Sequence, residues 1–154
     1  MIKKLLLCLA ICLIPLAALA EDSIPSLDKA GLANLLRQNK GKVIMLNFFA
    51  TWCPPCRVEL PELVKLRDAY PEKELLLLGL SVDEDKSAVP SFVNMAGVNY
   101  PVYMAARDIT DEYQVTSVPH NAFYGRDGKL VISEPGMAAA DLLEKVVDDL
   151  LKQN

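Results

Sequence analysis

Two cysteines separated by two prolines constrain this chain more than any other feature. Trp52-Cys53-Pro54-Pro55-Cys56 follows the apolar run Val43 to Phe49 and precedes Arg57 to Arg67, whose composition suits a helix. A Cys-x-x-Cys pair at a strand-to-helix turn is a redox signature. A helix N-terminus presents unpaired N–H groups and the positive end of the macrodipole, and both favour a thiolate. Pro54 and Pro55 suit the first helical positions, where a missing N–H costs nothing. The i, i+3 spacing places both sulfurs on one side of the first turn, within reach of a disulfide.

The cysteine count sharpens this reading. Lys3 and Lys4 form a basic start, Leu5 to Ala20 is apolar and broken by Pro15, and Ala18-Leu19-Ala20 is a small-x-small cleavage site before Glu21. Residues 1–20 are therefore expected to be a signal peptide, with an uncleaved anchor as the rival. Ile11 before Cys12 does not suit lipid attachment, which needs a small residue there. Removing 20 of 154 residues leaves residues 21–154 as one domain, with Cys53 and Cys56 as its cysteines. A disulfide-stapled scaffold carries several pairs, and a bridge closing so short a loop stabilises little. A single close pair in an exported chain points to chemistry. The 16 basic and 20 acidic residues become 14 and 20 once Lys3 and Lys4 leave. That acidic balance, with no basic run, argues against nucleic-acid and anionic-membrane partners.

The pattern of elements is alternating. A first helix, capped by Ser26 or Asp28, carries Leu27, Leu32, Leu35 and Leu36 on its apolar side. Strands are predicted at 43–49, 75–82, 100–103, 121–124 and 130–133, with Arg126-Asp127-Gly128 turning the last pair into a hairpin. Helices are predicted at 54–70, at about 86–97, as a turn at 108–113, and at 138–151 with Leu142, Leu143, Val146, Val147 and Leu150 apolar. Pro61 should kink the helix that holds it. Strands alternating with helices and ending in a hairpin give an α/β fold with a mixed central sheet covered on both faces.

The segment Asn47 to Pro61, NFFATWCPPCRVELP, resembles the active-site segment of thioredoxin-fold proteins, most closely their periplasmic TlpA/ResA/DsbE-like branch. The resemblance covers about Lys42 to Leu151. It implies a thioredoxin fold with one extra βα unit, Leu75 to Tyr103, before the loop at Pro119. That branch usually opens with a β-hairpin, whereas here only Glu21 to Pro25 precede the first helix. The implied enzyme is a periplasmic thiol–disulfide oxidoreductase. It would act as a reductant of exported protein disulfides, such as those of oxidised apocytochrome c, supplied by a membrane electron donor. It is expected to be a monomer that needs no metal or organic cofactor beyond the Cys53–Cys56 pair. The alternative direction is a disulfide donor.

Several residues are candidates for that chemistry. Cys53, at the helix start, is the expected nucleophile and the more exposed sulfur; Cys56 is the expected resolving thiol. Val118-Pro119 is implied by the resemblance to be a cis-proline loop that holds an extended client, with Val118 offering its backbone. Trp52 is expected to shield the disulfide and form a docking surface with Pro54 and Pro55, or simply to pack. Placed on a helical wheel with Cys56 at zero, Glu59 falls at about −60°, inside an apolar arc that also contains Arg67. A carboxyl group there is expected to be partly desolvated with a raised pKa, which suits a proton acceptor for Cys56, the rival being a rim glutamate whose head reaches water. The same motif position is acidic in the TlpA/ResA-like branch. Asn47 stands where plain thioredoxins carry a buried aspartate, so the acid shifts from strand to helix. His120 is the single histidine of the chain. It reads first as a loop histidine that tunes nearby electrostatics or does nothing; with Cys53 and Cys56 it also suggests a rival class, a copper-handling protein, although three ligands leave a tetrahedral shell one short. Arg57 after Cys56 excludes the haem-attachment pattern. A peroxidase is the least favoured reading, with no separate peroxidatic cysteine upstream of the pair.

Overall fold

The structure is a computed structural model that describes residues 23–153. The segment read as a signal peptide lies outside those residues. Six strands form one mixed sheet: β1 (Ser26–Leu27), β2 (Val43–Phe49), β3 (Leu75–Ser81), β4 (Val102–Ala105), β5 (His120–Tyr124) and β6 (Leu130–Pro135). Their spatial order is β1-β4-β3-β2-β5-β6. β2 pairs parallel with β3, β3 with β4, and β4 with β1; β5 runs antiparallel to both β2 and β6. Among the described residues four helices connect strands, α1 (Lys29–Gln38), α2 (Pro54–Ala69), α3 (Ala88–Met95) and α4 (Arg107–Glu112), and α5 (Ala140–Leu151) follows β6.

Every residue of β2 is buried, as an unbroken apolar run between two covered faces requires. Strand alternation divides its side chains between two cores. Val43, Met45 and Phe49 pack with Leu60, Leu63 and Leu66 of α2, Phe92 of α3 and Leu143, Val147 and Leu150 of α5. Ile44, Leu46 and Phe48 pack on the other face with Leu32 of α1, Ile109 and Tyr113. Apart from Asn47, β2 is thus apolar on both sides, and Asn47 lies on the α2 face.

The structure shifts some sequence-based boundaries. Ser26 does not cap α1. It belongs with Leu27 to a short edge strand beside β4, and Asp28 caps the helix by accepting from the Gly31 N–H at 2.7 Å. The third predicted strand starts two residues later, at Val102. Pro101 has no N–H to give a ladder and contributes only its carbonyl, to Gly79 N. Leu142, placed on the apolar side of α5, is 52% exposed; the buried stripe is Leu143, Val147 and Leu150. α2 continues through Pro61 to Ala69.

Candidate active site

The site sits where β2 gives way to α2, at the C-terminal end of a central parallel strand. Ala50 to Cys53 make the turn, and Cys53 is the N-cap of α2. The two prolines occupy the first helical positions, so they remove no intrahelical hydrogen bond. Asp83, just past β3, braces the turn by accepting from Thr51 N at 3.0 Å and Thr51 Oγ1 at 2.6 Å. Arg57 donates to the Thr51 carbonyl at 2.7 Å, and its guanidinium lies over the Phe92 ring, 5.3 Å from the centroid. The cysteine turn is therefore fixed from both neighbouring elements.

Cys53 and Cys56 are joined in a disulfide with Cα atoms 5.3 Å apart. The Cys56 backbone N–H donates to Cys53 Sγ at 3.2 Å, a helix-terminus donor aimed at the sulfur expected to carry negative charge. Both cysteines are buried, 3% exposed for Cys53 and 1% for Cys56. The clear difference in exposure expected from sequence is thus small, because the Val118-Pro119 loop covers Cys53. The Val118–Pro119 peptide is cis, and the Val118 carbonyl oxygen lies 3.5 Å from Cys53 Sγ. Several apolar residues of the neighbouring segments are exposed. Trp52 is 65% exposed and Val58 and Met137 are also exposed, as are Pro54 and Pro55. Trp52 is therefore not a packed core residue. It walls an open groove of about 550 Å³ that Val82, Glu84, Arg107, Thr116 and Val118 also line.

Glu59, one turn beyond Cys56, is 1% exposed. Its carboxylate accepts hydrogen bonds from Asn47 Nδ2 at 2.9 Å, Asn121 Nδ2 at 2.8 Å and the Ala138 backbone N–H at 2.9 Å. Burial pushes its pKa above the ordinary carboxylate value; the N–H groups of Ala138, Asn121 and Asn47 oppose that rise without cancelling it. The wheel places Glu59 on the buried arc, but sequence reasoning did not find its partners. Asn121 comes from β5 and Ala138 from the β6–α5 connection, 62 and 79 residues away. A weak signal exists: with β2 and β5 as neighbours, Asn47 and Asn121 fall opposite each other and on one face. Asn47 Nδ2 also donates to Asn121 Oδ1 at 2.8 Å. Tyr100, buried nearby, has its hydroxyl pKa raised first by burial and then by the charge of Glu59.

His120 does not join this group. It pairs with Phe48 across β2 and β5 and stacks edge-on against that ring at 5.6 Å, on the sheet face opposite Glu59. Its Nε2 bonds Ser133 Oγ at 2.8 Å, and burial lowers its pKa. The Cys53–Cys56–His120 copper site considered from sequence is thus not assembled: a one-residue step along β5 sends His120 to the other core. Among the described residues no cluster of His, Cys, Asp and Glu has metal-binding geometry.

A buried disulfide at a helix N-terminus, on a six-stranded mixed sheet beside a cis-proline loop, defines a thioredoxin-fold thiol–disulfide oxidoreductase. The chain belongs to the AhpC/TSA family, which it matches over residues 24–133. It is 36% identical over 118 residues to the thiol-disulfide oxidoreductase ResA of Bacillus thuringiensis strain Al Hakam, covering 76% of this chain and 68% of that protein. Its structure is similar to that of a thioredoxin-family thiol:disulfide interchange protein from Chlorobium tepidum (TM-score 0.69, 27% identity, 75% of this chain and 83% of the other). It is also similar to that of a secreted Mycobacterium tuberculosis disulfide oxidoreductase homologous to Escherichia coli DsbE (TM-score 0.63, 27% identity, 73% and 85%).

Proposed function

We propose that this chain is an exported, periplasmic reductant of protein disulfides, cytochrome c precursors among them, and that Glu59 serves it as the proton acceptor. The observation that carries the reading is the pairing of a helix-start disulfide with a buried carboxylate one turn inside α2. In the reduced protein the Cys53 thiolate, stabilised by the Cys56 N–H and the helix terminus, attacks a client sulfur. The client disulfide breaks, one client thiolate leaves and takes a proton, and a mixed disulfide with Cys53 forms. Cys56 passes its proton to Glu59 and attacks Cys53 Sγ, releasing the second client sulfur. That sulfur too leaves as a thiolate and takes up a proton. Two electrons pass to the client, and the Cys53–Cys56 disulfide forms. A dithiol donor in the membrane returns the electrons by the same exchange in reverse.

Client binding falls to Val118 and Pro119 on one side of the sulfurs and to the apolar rim of Trp52, Pro54 and Pro55 on the other. Export is supported by the signal-like residues 1–20 and by the secreted relative from Mycobacterium tuberculosis. No further cofactor enters this scheme, and the chain acts as a monomer. The test is a trap: Cys56→Ser should accumulate a Cys53-linked mixed disulfide with a protein client, and Cys53→Ser should accumulate none. Preferential alkylation of Cys56 over Cys53 in the reduced protein would reverse the roles and refute the mechanism.

A further inference from the structure

Asn121 is buried, 4% exposed, two residues past the cis-proline. Its amide has little freedom of orientation. Asn47 Nδ2 donates to Asn121 Oδ1 at 2.8 Å, and Asn121 Nδ2 donates to Glu59 Oε1 at 2.8 Å. Turning the amide over would set N–H against N–H at Asn47 and oxygen against oxygen at Glu59, two repulsive contacts in place of two bonds. Asn47 is in turn oriented by Glu59 Oε2. The three side chains thus close a ring in which each amide fixes the next, and every group facing the carboxylate is a donor.

We propose that Asn121 is a positioning residue for disulfide exchange: its side-chain N–H holds Glu59, as the carboxylate, in its buried place one turn from Cys56. The proposal rests on the reading of Glu59 as proton acceptor. It also places part of the acid–base machinery on β5, in the strand that follows Pro119. The connection after β6 reinforces the arrangement: the Gly136 N–H donates to the Pro119 carbonyl at 2.7 Å, and the Ala138 N–H to Glu59 at 2.9 Å.

The groups that face Glu59 leave its titration simple. Asn47 on β2, Asn121 on β5 and the Ala138 amide before α5 are neutral donors. Tyr100, from the segment before β4, has its pKa raised and stays neutral. In the oxidised protein Cys53 and Cys56 do not titrate.

The test follows the Glu59 side-chain carboxyl by carbon-13 NMR across pH in the oxidised protein, with Glu59→Gln identifying its signal. Asn121→Leu keeps the approximate shape and removes the donor; Asn121→Ser restores a short hydroxyl donor. A hydrogen bond to a charged group has the strength to raise the midpoint by about one to two pH units when lost. We expect a shift of that size in Asn121→Leu and a smaller one in Asn121→Ser. The pH at half-maximal exchange with a protein disulfide should move in parallel. An unchanged Glu59 midpoint in Asn121→Leu overturns the proposal while leaving Glu59 its role. Exchange profiles that coincide for wild type and Glu59→Gln remove the acid–base reading, and the proposal with it. If Asn121→Leu does not fold, Asn121→Ala, which also lacks the donor, decides: a Glu59 midpoint identical to wild type overturns the proposal, and a raised one supports it.

Discussion

Glu59→Gln is the substitution with the most to say about this protein. Glutamine keeps the shape of the side chain and removes the charge, but its Nε2 cannot accept from the donors around Glu59, so the variant is referenced to wild type at pH 4, where the acid is neutral. In the unfolded chain the carboxyl titrates near 4.5, and in the folded protein burial raises it. The sign follows from linkage. A raised folded pKa stabilises the fold below about pH 4.5, and that contribution is lost as pH rises through the folded pKa. Each unit of elevation amounts to about 1.4 kcal/mol. The stability difference at pH 4 in the oxidised state therefore measures that exchanged contact alone. From that reference the variant should gain on wild type as pH rises, by about 1.4 kcal/mol per unit of elevation at pH 7. Urea unfolding of both proteins between pH 4 and pH 8 measures this directly. The same variant should slow the resolving step by about 10²-fold, the usual contribution of a positioned acid or base. In the reduced wild type Glu59 titrates together with the thiols, and the apparent pKa values belong to the group; the variant's profile should simplify. Stability curves that stay parallel across the range would refute the premise that desolvation dominates at Glu59. A variant that loses ground to wild type between pH 4 and pH 7 would mean that the three donors outweigh burial.

The remaining expectations are simpler to check. The reduction potential should be that of a reductant, because a carboxylate beside the thiols opposes thiolate formation; a value near about −120 mV, the strongly oxidising end of the range, would contradict it. His120→Phe should leave the pH profile of thiol reactivity unchanged, since His120 faces the other core, and a shifted profile would place the imidazole near the sulfurs after all. N-terminal sequencing of the exported protein should begin at Glu21; an intact Met1 in the membrane fraction would mean an anchor.

Much of this site is legible along the chain because it is local. Val43 to Phe49 is apolar for long enough to be a covered strand, and the prolines at 54 and 55 mark the helix start. Glu59 is legible because a helix has a fixed angular step, so an acid inside an apolar arc is visible without coordinates. Its partners are not. Asn121 and Ala138 arrive through the pairing of β5 with β2 and through a connection near the end of the chain, and neither has a local pattern. His120 shows the same limit from the other side. Proximity to Pro119 in sequence suggested proximity to the cysteines, but alternation along β5 separates neighbours onto opposite faces. Ser26 and Leu27 form a strand only because the edge of β4 is free to receive them, and Leu142 is exposed because α5 buries a narrower stripe than its composition suggests.

The connection through Gly136 and Ala138 carries a consequence for how this protein tolerates change. Both of its bonds to the site come from the main chain, so no side chain there is required for them. Position 138 cannot be proline, which has no N–H to offer Glu59, and because its half-buried side chain packs against the α2-side core it favours small residues. Position 136 is narrower, because its φ of +103° favours glycine. Met137, between them, is exposed, so its side chain can vary while the Ala138 N–H keeps its bond to the carboxylate.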